Sequence, residues 1–361
     1  MRKIAFRIVL AVFVLVVGAI IAVQKSETLQ DRIAENVARH RVMGQHDEFS
    51  DGKALRVFFC GTGAPLPDPK RGQACIAVFA GDTLLLVDTG AGAWERFVRF
   101  HVPISRLEGV LFTHFHSDHI SGLPDIALNS WVAGRTRALR LYGGPGVDQI
   151  ARGFSIAYAQ DDHYRTAHHG AELLPESGAA LEPITVDIPP GAAPVDVIKA
   201  GDLTVRAFRV HHPPVEPAYG YRIDYKGRSV IFSGDTTVTD SMKLVGKDVD
   251  VMVHEALAPS LIEVAARTLE SVGDSRRAKI LRDTPEYHTS PAQAAEVANA
   301  AGARLLVLSH LVPAVSGAIP ERIFMRGVAD VRTDDTLIAH DGLLIELPVD
   351  SNEIRRRMLE E

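Results

Sequence analysis

The segment that constrains this chain most covers residues 113–119 and reads Thr-His-Phe-His-Ser-Asp-His. It places three imidazoles and a carboxylate side by side, directly after an apolar, strand-like run. Because alternate residues of a strand point to the same side, His114 and His116 are expected to converge on one metal ion. Asp118 and His119, past the strand end, are placed to reach a second ion. The pattern predicts a metal site, and the less specific alternative is a histidine-rich surface loop.

Neutral imidazoles and carboxylates are ligands that zinc prefers. Two zinc ions about 3.5–4 Å apart hold a hydroxide that attacks phosphorus, sulfur or carbonyl carbon. Such a centre needs further ligands from other strand ends, and three places along the chain offer them: the pair His211 and His212, then Asp235, then His310. We therefore expect two Zn²⁺ ions as cofactors.

The N-terminus resembles an export signal. Arg2, Lys3 and Arg7 precede an uncharged apolar run over residues 8–23, a length between that of a signal-peptide core and a full membrane span. Residues 1–25 are therefore predicted to be a signal anchor or a signal peptide, with an N-terminal membrane-anchor helix. The positive-inside rule then leaves the N-terminus in the cytoplasm and places the rest of the chain on the periplasmic side of the inner membrane, or otherwise outside the cytoplasm.

The remaining chain divides by composition into three segments. Residues 26–53 are predicted to be a polar tether, residues 54–347 a folded domain, and residues 348–361 a charged C-terminal tail. Within the domain, hairpins and strand–helix alternation occur in both halves. This arrangement predicts an α+β fold with two mixed sheets packed face to face and helices outside, a four-layer αββα sandwich.

Local signals fix a few elements of the domain. Ser290 as N-cap, Pro291 at the first helical position and Gly302 past the end predict a helix over residues 291–301. The Asp341-Gly342 dipeptide predicts a last hairpin turn. The only cysteines, Cys60 and Cys75, sit on neighbouring predicted strands, so both a disulfide and two buried thiols remain open.

The chain has a formal net charge of -6, and the basic N-terminal segment makes the rest more acidic still. Such a balance gives no long-range attraction to nucleic acid. This balance leaves a local basic patch open, but it makes a nucleic-acid partner unexpected. The composition also allows a homodimer.

Over residues 54–347 the chain resembles the metallo-β-lactamase superfamily of hydrolases. The resemblance rests on the HxHxDH segment, a later histidine, Ser-Gly-Asp-Thr at 233–236 and His310 at a strand end. Within the superfamily it is most similar to the ribonuclease Z-like branch and its arylsulfatase-type relatives. The segments similar to that branch are residues 59–63, residues 210–222, His254-Glu255-Ala256 in place of its HEAT loop and His288-Thr289-Ser290 in place of its HST loop.

The resemblance implies a ligand set and catalytic roles. The first zinc is expected to be bound by His114, His116 and His212. The second zinc is expected to be bound by Asp118, His119 and His310, and Asp235 is expected to bridge both ions. Because neighbouring strand residues face opposite ways, only one of His211 and His212 is expected to be a ligand. The spacing to Pro214-Val215 and Gly220-Tyr221 selects His212, which leaves His211 a role in the pocket. Catalytic roles are expected for Asp118, for His288 as proton donor to the leaving oxygen, and for Glu255, which with His254 would orient the site.

Three departures separate the chain from ribonuclease Z. The family's long tRNA-binding arm has no room between His212 and Asp235, residues 67–73 match its PxKxRN loop imperfectly, and HST has become HTS. An exported acidic domain would also not meet precursor tRNA. The sequence therefore favours a dizinc metallo-hydrolase of small sulfate or phosphate esters, similar to an arylsulfatase or phosphodiesterase.

Three alternatives remain open. The first is a ribonuclease Z-type tRNA 3′ endonuclease, and the second is a lactonase or β-lactamase. The third, from a different class, is a non-catalytic, metal-bearing binding domain. The complete ligand set argues against the third alternative, because degenerate members of the superfamily are expected to lose ligands or the proton donor.

Overall fold

The structure is a computed structural model that describes residues 2–43, 49 and 51–360. The chain forms two compact units, Met1–His46 and Asp47–Glu361.

The N-terminal unit contains two helices, α1 (Arg2–Lys25) and α2 (Glu27–Met43). Among the described residues, no single helix has the length and apolar composition needed to cross a membrane. Residues 10–25 and 27–39 meet that requirement only together, as a pair bent by 92°. The predicted anchor helix and the expected location outside the cytoplasm both stay predictions.

The larger unit contains the strands of two sheets. In chain order these strands are β1 (Ala54–Gly61), β2 (Cys75–Ala80), β3 (Thr83–Val87), β4 (Leu107–Leu111), β5 (Leu139–Gly143), β6 (Leu181–Thr185), β7 (Val195–Ala200), β8 (Leu203–His212), β9 (Val215–Tyr225), β10 (Arg228–Phe232), β11 (Val251–Leu257), β12 (Leu305–Val312), β13 (Thr336–Ile338), β14 (Leu343–Pro348) and β15 (Arg355–Met358).

Both sheets are mixed. The first has the order β15-β14-β1-β2-β3-β4-β5-β6 and is parallel from β3 to β6. The second has the order β13-β12-β11-β10-β9-β8-β7 and is parallel from β13 to β10. Each sheet therefore has an antiparallel half and a parallel half, and functional loops are expected at the carboxyl ends of the parallel strands.

The larger unit also contains helices outside the sheets. They are α3 (Ala93–Arg99), α4 (Ser117–Ile120), α5 (Leu123–Val132), α6 (Val147–His169), α7 (Glu176–Ala179), α8 (Asp240–Val245), α9 (Pro259–Ser271), α10 (Ser275–Asp283), α11 (Pro291–Ala301), α12 (Ala318–Phe324) and α13 (Val328–Val331), together with a 3₁₀ turn at Thr284–Glu286.

The strand period of two sorts side chains between the layers. On β1, Val57 and Phe59 lie in the core between the sheets with Tyr221, whereas Phe58 packs on the other face against Phe97 of α3. A third core joins the outer face of the second sheet to α8 and α11. Because both faces of each sheet are covered, β1 is buried along its whole length. The predicted α+β fold with two mixed sheets is confirmed.

Some local predictions are confirmed and one is wrong. Helix α11 starts and ends as predicted, and Ser290 and Gln293 form a capping box at its start. The turn at Asp341-Gly342 does not close a hairpin, because β13 belongs to the second sheet and β14 to the first. The expected C-terminal tail includes strand β15, which pairs with β14.

Cys60 and Cys75 form a disulfide that closes a loop with a sequence separation of 15. Both cysteines are buried, at the end of β1 and the start of β2. The loop between them is also held at its base, where the backbone N–H groups of Thr62 and Gly72 donate to the Asp341 carboxylate. The disulfide resolves the alternative that the sequence left open.

Candidate metal centre

The predicted ligand residues meet at one edge of the two sheets, where strands end. His114 and His116 lie on the loop after β4, so a loop brings them together and not the strand alternation predicted from the sequence. Asp118 and His119 lie on the short helix α4. The other three come from the second sheet: His212 is the last residue of β8, Asp235 follows β10, and His310 lies within β12.

Four of these residues form a first group: His114, His116, His212 and Asp235. Their ligand atoms lie within 4.8 Å of one another. His116 Nδ1 lies 2.9 Å from His114 Nε2 and 3.5 Å from His212 Nε2. His116 is exposed, whereas the other members of the group are buried, so His116 marks the side that faces solvent.

Asp118, His119 and His310 form a second group within the same 4.8 Å limit. His310 Nε2 lies 3.1 Å from Asp118 Oδ2, and His119 Nε2 lies 3.6 Å from that same oxygen. All three side chains are buried.

Asp235 lies between the two groups. Its Oδ2 is 3.9 Å from both His114 Nε2 and His212 Nε2 and 3.5 Å from His119 Nε2. Its Oδ1 is 3.4 Å from His310 Nδ1. One carboxylate therefore faces the imidazoles of both groups.

The electrostatics of the cluster suit a cation. Burial lowers the pKa of His114 well below 6.5 and also lowers the pKa of His212, so both are neutral and can act as ligands. Burial opposes ionisation of Asp235, but the imidazoles of His310 and His119 hold its pKa well below 3.8. Burial likewise opposes charge on His119, yet Asp235 and Asp88 raise its pKa well above 6.5. The surroundings of His119 thus stabilise positive charge.

Orphaned polar atoms give the test of whether these residues fit a metal. His119 Nε2, Asp235 Oδ1 and His310 Nδ1 are buried and have no hydrogen-bond partner among the described residues. Buried polar atoms left without partners are costly. Their convergence on one place, with neutral imidazoles and an ionised carboxylate, fits a divalent cation.

Asp88 is a site residue that the sequence reasoning missed. Its Oδ2 lies 2.8 Å from His119 Nδ1 and accepts from the Thr113 hydroxyl, while its Oδ1 accepts from the Thr113 N–H. This contact leaves Nε2 of His119 free to face the cluster. Asp88 has a φ of 59°, in the left-handed region where aspartate is one of the few tolerated residues. By itself, the Asp88-Thr89-Gly90 sequence indicates only a turn.

The same turn fixes helix α4. The Thr89 N–H donates to the His119 carbonyl at 2.7 Å. A Cβ on Gly90 would lie 2.2 Å from the Asp118 carbonyl oxygen, so the close approach requires glycine. The turn thereby determines where Asp118 and His119 stand.

His310 also has a left-handed backbone, with a φ of 47°. The register between β11 and β12 shifts at this point, because Glu255 pairs with Ser309 and Ala256 pairs with Leu311. His310 is the extra residue of this bulge. Strand β12 therefore continues past His310, and the bulge turns the imidazole towards Asp118.

His212 is oriented by a backbone contact, since its Nδ1 lies 2.9 Å from the Tyr287 carbonyl oxygen. His211 has an exposed side chain, and its carbonyl oxygen accepts from the Thr237 N–H at 2.8 Å. The choice of His212 over His211 thus agrees with the positions of the two side chains.

Glu255 and His288 lie beside the second group. Glu255 Oε1 is 3.2 Å from His288 Nδ1 and accepts from the backbone N–H of Thr289 at 2.8 Å and of Thr236 at 3.3 Å. Burial opposes charge on His288, but Glu255 outweighs it and raises the pKa of His288 to about 9. His288 is therefore protonated at neutral pH.

Other histidines lie outside the two groups described above. His163, His168 and His169 are exposed on helix α6. His254 is fully buried, and its Nδ1 contacts the Glu255 carbonyl oxygen at 2.8 Å.

Comparison with known proteins identifies the family. Residues 83–311 match the model of the beta-lactamase superfamily domain. Ribonuclease Z from Mycobacterium bovis is 33% identical over 264 residues, which cover 72% of this chain and 87% of that protein. Ribonuclease Z from Mycolicibacterium gilvum is 31% identical over 262 residues, with 72% and 85% covered.

Among solved structures, the short form of human tRNase Z matches with a TM-score of 0.57 at 22% identity, covering 81% of this chain and 99% of that one. A metallo-β-lactamase fold protein from Bacillus subtilis matches with a TM-score of 0.56 at 21% identity, with 81% and 99% covered. These likenesses support the fold.

The expectation that nucleic acid is excluded as a partner is wrong. The relatives at 31–33% identity are named as ribonucleases. The inference failed because net charge is a sum over the whole surface, whereas contacts to phosphates depend on the groups near the site. The same relatives favour the ribonuclease Z alternative over the small-ester interpretation. The chain therefore belongs to the beta-lactamase superfamily, as a metallo-β-lactamase-fold hydrolase with ribonuclease Z relatives.

Proposed function

We propose that this chain is a metal-dependent ribonuclease of the ribonuclease Z type, which hydrolyses phosphodiester bonds in RNA. The observation that supports the proposal is the convergence of seven candidate ligands in two groups, with Asp235 of the first group facing His119 and His310 of the second. The 33% identity to a ribonuclease Z supports RNA as the substrate. We assign two zinc ions to the groups, because imidazoles dominate the donor set.

Zinc ions held by these groups would supply an activated water molecule and positive charge beside the phosphoryl oxygens. The chain's own residues then have separate tasks. The Asp118 carboxylate accepts a hydrogen bond from the attacking water. As the new O–P bond forms and the P–O bond to the leaving nucleoside breaks, His288 donates its proton to the leaving oxygen. The products are a phosphomonoester and an alcohol.

Glu255 has a positioning role in this scheme. Its Oε1 holds the imidazole of His288 and the backbone beside Asp235 at once, through the Thr289 and Thr236 N–H groups. The proton donor and the proposed bridging carboxylate thus keep a fixed relation to each other.

The region between His212 and Asp235 bears on how RNA is recognised. Strands β8 and β9 are joined by Pro213 and Pro214 alone, and β9 and β10 by Lys226 and Gly227 alone. No arm that could grip a distant part of a folded RNA is inserted there. We propose that the substrate is held mainly by contacts close to the scissile phosphate, as in a single-stranded RNA end.

The test is cleavage of a 3′-extended precursor tRNA and of an unstructured RNA by the purified full-length chain with zinc. We expect cleavage that a chelator abolishes. We expect Asp235→Ala to lose zinc and activity together, by atomic absorption and by gel assay, whereas Asp125→Ala, an exposed aspartate on α5, retains both. Zinc content that is unchanged in Asp235→Ala would contradict the ligand assignment. Intact RNA beside hydrolysis of an aryl sulfate would contradict the proposed substrate.

A further inference from the structure

Tyr287 places an aromatic ring beside the metal-binding groups. Its ring centroid lies 5.4 Å from that of His212 and 4.9 Å from that of His288. Among the described residues, it is the only aromatic residue other than histidine in ring contact with the histidines of the site. The ring thus adjoins both a proposed ligand and the proposed proton donor.

The burial of these rings shows which of them is open to a substrate. The His212 and His288 side chains are 1% and 6% exposed, whereas Tyr287 is half-buried. The Tyr287 hydroxyl makes no hydrogen bond to any residue that the structure describes. Phe115, within the HxHxDH segment, packs its ring against Gly143, Gly146 and Phe112. Tyr287 is thus a partly exposed ring that adjoins the histidines of the site.

The role of Tyr287 in shaping the site belongs to its backbone and not to its ring. Its carbonyl oxygen contacts Nδ1 of His212, and this contact does not involve the ring. The ring is thus available for another role, and replacing it is expected to keep the contact between the Tyr287 backbone and His212.

We propose that Tyr287 is a binding residue that stacks the nucleobase of the nucleotide carrying the leaving oxygen. This inference rests on the proposed function. His288 protonates the leaving oxygen in that scheme, so the leaving nucleotide lies on the side of the site where His288 and Tyr287 are in contact. Aromatic side chains bind unstacked bases of single-stranded RNA by their faces, with little dependence on sequence. Without an inserted arm, such a contact supplies affinity next to the scissile bond.

The experiment compares a single-stranded RNA with the same RNA that lacks the base on the leaving side. On the intact RNA, Tyr287→Ala is expected to lose roughly tenfold in kcat/KM, mainly through KM, while Tyr287→Phe stays near wild type. On the abasic RNA, wild type and Tyr287→Ala are expected to be equal. Tyr164→Ala, which removes a 61% exposed tyrosine on α6, is the matched control and is expected to match wild type on both substrates.

Two further readouts separate stacking from a structural role. Zinc content is expected to be unchanged in Tyr287→Ala. In a His288→Ala background, where cleavage is slow, fluorescence anisotropy is expected to show weaker binding of intact RNA, but not of abasic RNA, when Tyr287 is removed. An equal loss on both RNAs, a Tyr287→Phe variant as weak as Tyr287→Ala, or lost zinc would overturn the inference. A wild-type chain that cuts no RNA would instead overturn the proposed function.

Discussion

At the scale of single residues, the contact between Glu255 and His288 has the clearest chemical consequence. Glu255 holds His288 in its protonated form beside Asp235 and His310. A proton donor matters most when the leaving oxygen is a poor leaving group. We expect His288→Ala to retain two zinc ions and to slow cleavage of an alkyl or nucleoside phosphodiester by roughly a hundredfold or more.

The control for this prediction is a substrate that needs no acid. A bis-nitrophenyl phosphodiester has a good leaving group, so His288→Ala is expected to slow it much less. Kinetic constants for both substrates, with zinc measured in each preparation, provide the comparison. Equal slowing of the two would show that His288 does not act as the acid, and loss of zinc would make it a ligand.

The grouping of the candidate ligands was predictable because the HxHxDH segment, Asp235 and His310 have distinctive types and spacing. That these residues bind metal stays a prediction. Asp88 was not predictable in the same way, because its contact with His119 depends on a left-handed backbone and on the packing of a glycine turn against α4. Tyr287 was missed for a related reason: its backbone oxygen, which no sequence pattern marks, contacts His212.

At the scale of elements, the disulfide links the end of β1 to the start of β2 across a separation of 15 residues. Closing a loop of this size removes entropy from the unfolded chain and stabilises the fold by about 3 kcal/mol. We expect the double variant Cys60→Ala, Cys75→Ala to lose about that much free energy of unfolding. Denaturant titration measures the loss.

Reductant offers the matched control. It is expected to lower the midpoint of unfolding of the wild type but not of the double variant, because only the wild type has a bond to break. Two results together would contradict the prediction: a wild-type midpoint that reductant leaves unchanged, and a double variant that unfolds at the wild-type midpoint. The disulfide would then not stabilise the fold.

Element predictions worked where local chemistry decides the outcome. The ends of α11 are set by local capping, with Ser290 and Pro291 at its start and Gly302 at its end. The hairpin predicted at Asp341-Gly342 was wrong because the same dipeptide also occurs in turns that connect two sheets. Which of the two forms depends on the long-range pairing of β13 and β14. The bulge at His310 was hidden for the same reason, since it exists only in the register of β12 against β11.

At the scale of the whole molecule, Arg228 on the second sheet joins the two sheets. Its guanidinium donates to the Pro348 carbonyl oxygen on β14 at 2.7 Å and forms a bidentate pair with Asp250. Burial opposes ionisation of Asp250, but hydrogen bonds from Arg228 and the Ser229 N–H outweigh it and lower its pKa below 3.8. The ionised carboxylate therefore stabilises the fold.

A carboxyl with a lowered pKa in the folded state stabilises it fully above its unfolded pKa, near 3.8, and loses that contribution as pH falls through the folded pKa. We expect Asp250→Asn to lose about 3 kcal/mol of unfolding free energy at neutral pH and to show a flatter decline in acid. Denaturant titrations between pH 7 and roughly pH 3 measure both effects. Asp82→Asn, at an 89% exposed side chain, is the control and is expected to follow the wild type.

The layered architecture was predictable because strands buried on both faces, hairpins and alternating helices occur in both halves of the sequence. The net charge could not show whether nucleic acid is a partner, because it does not describe how charged groups are arranged around Asp235. For the N-terminal segment, the apolar run predicts a membrane anchor. Among the described residues, however, the length and hydropathy needed for a span are met only by a pair of helices bent by 92°.

Asp118 and His310 approach within 3.1 Å although 192 positions separate them along the chain. The proposed cation site is therefore incomplete until His310 has been synthesised. A product that ends before this residue would carry the early histidines without the full set of donors, and under the proposed function it would cleave no RNA.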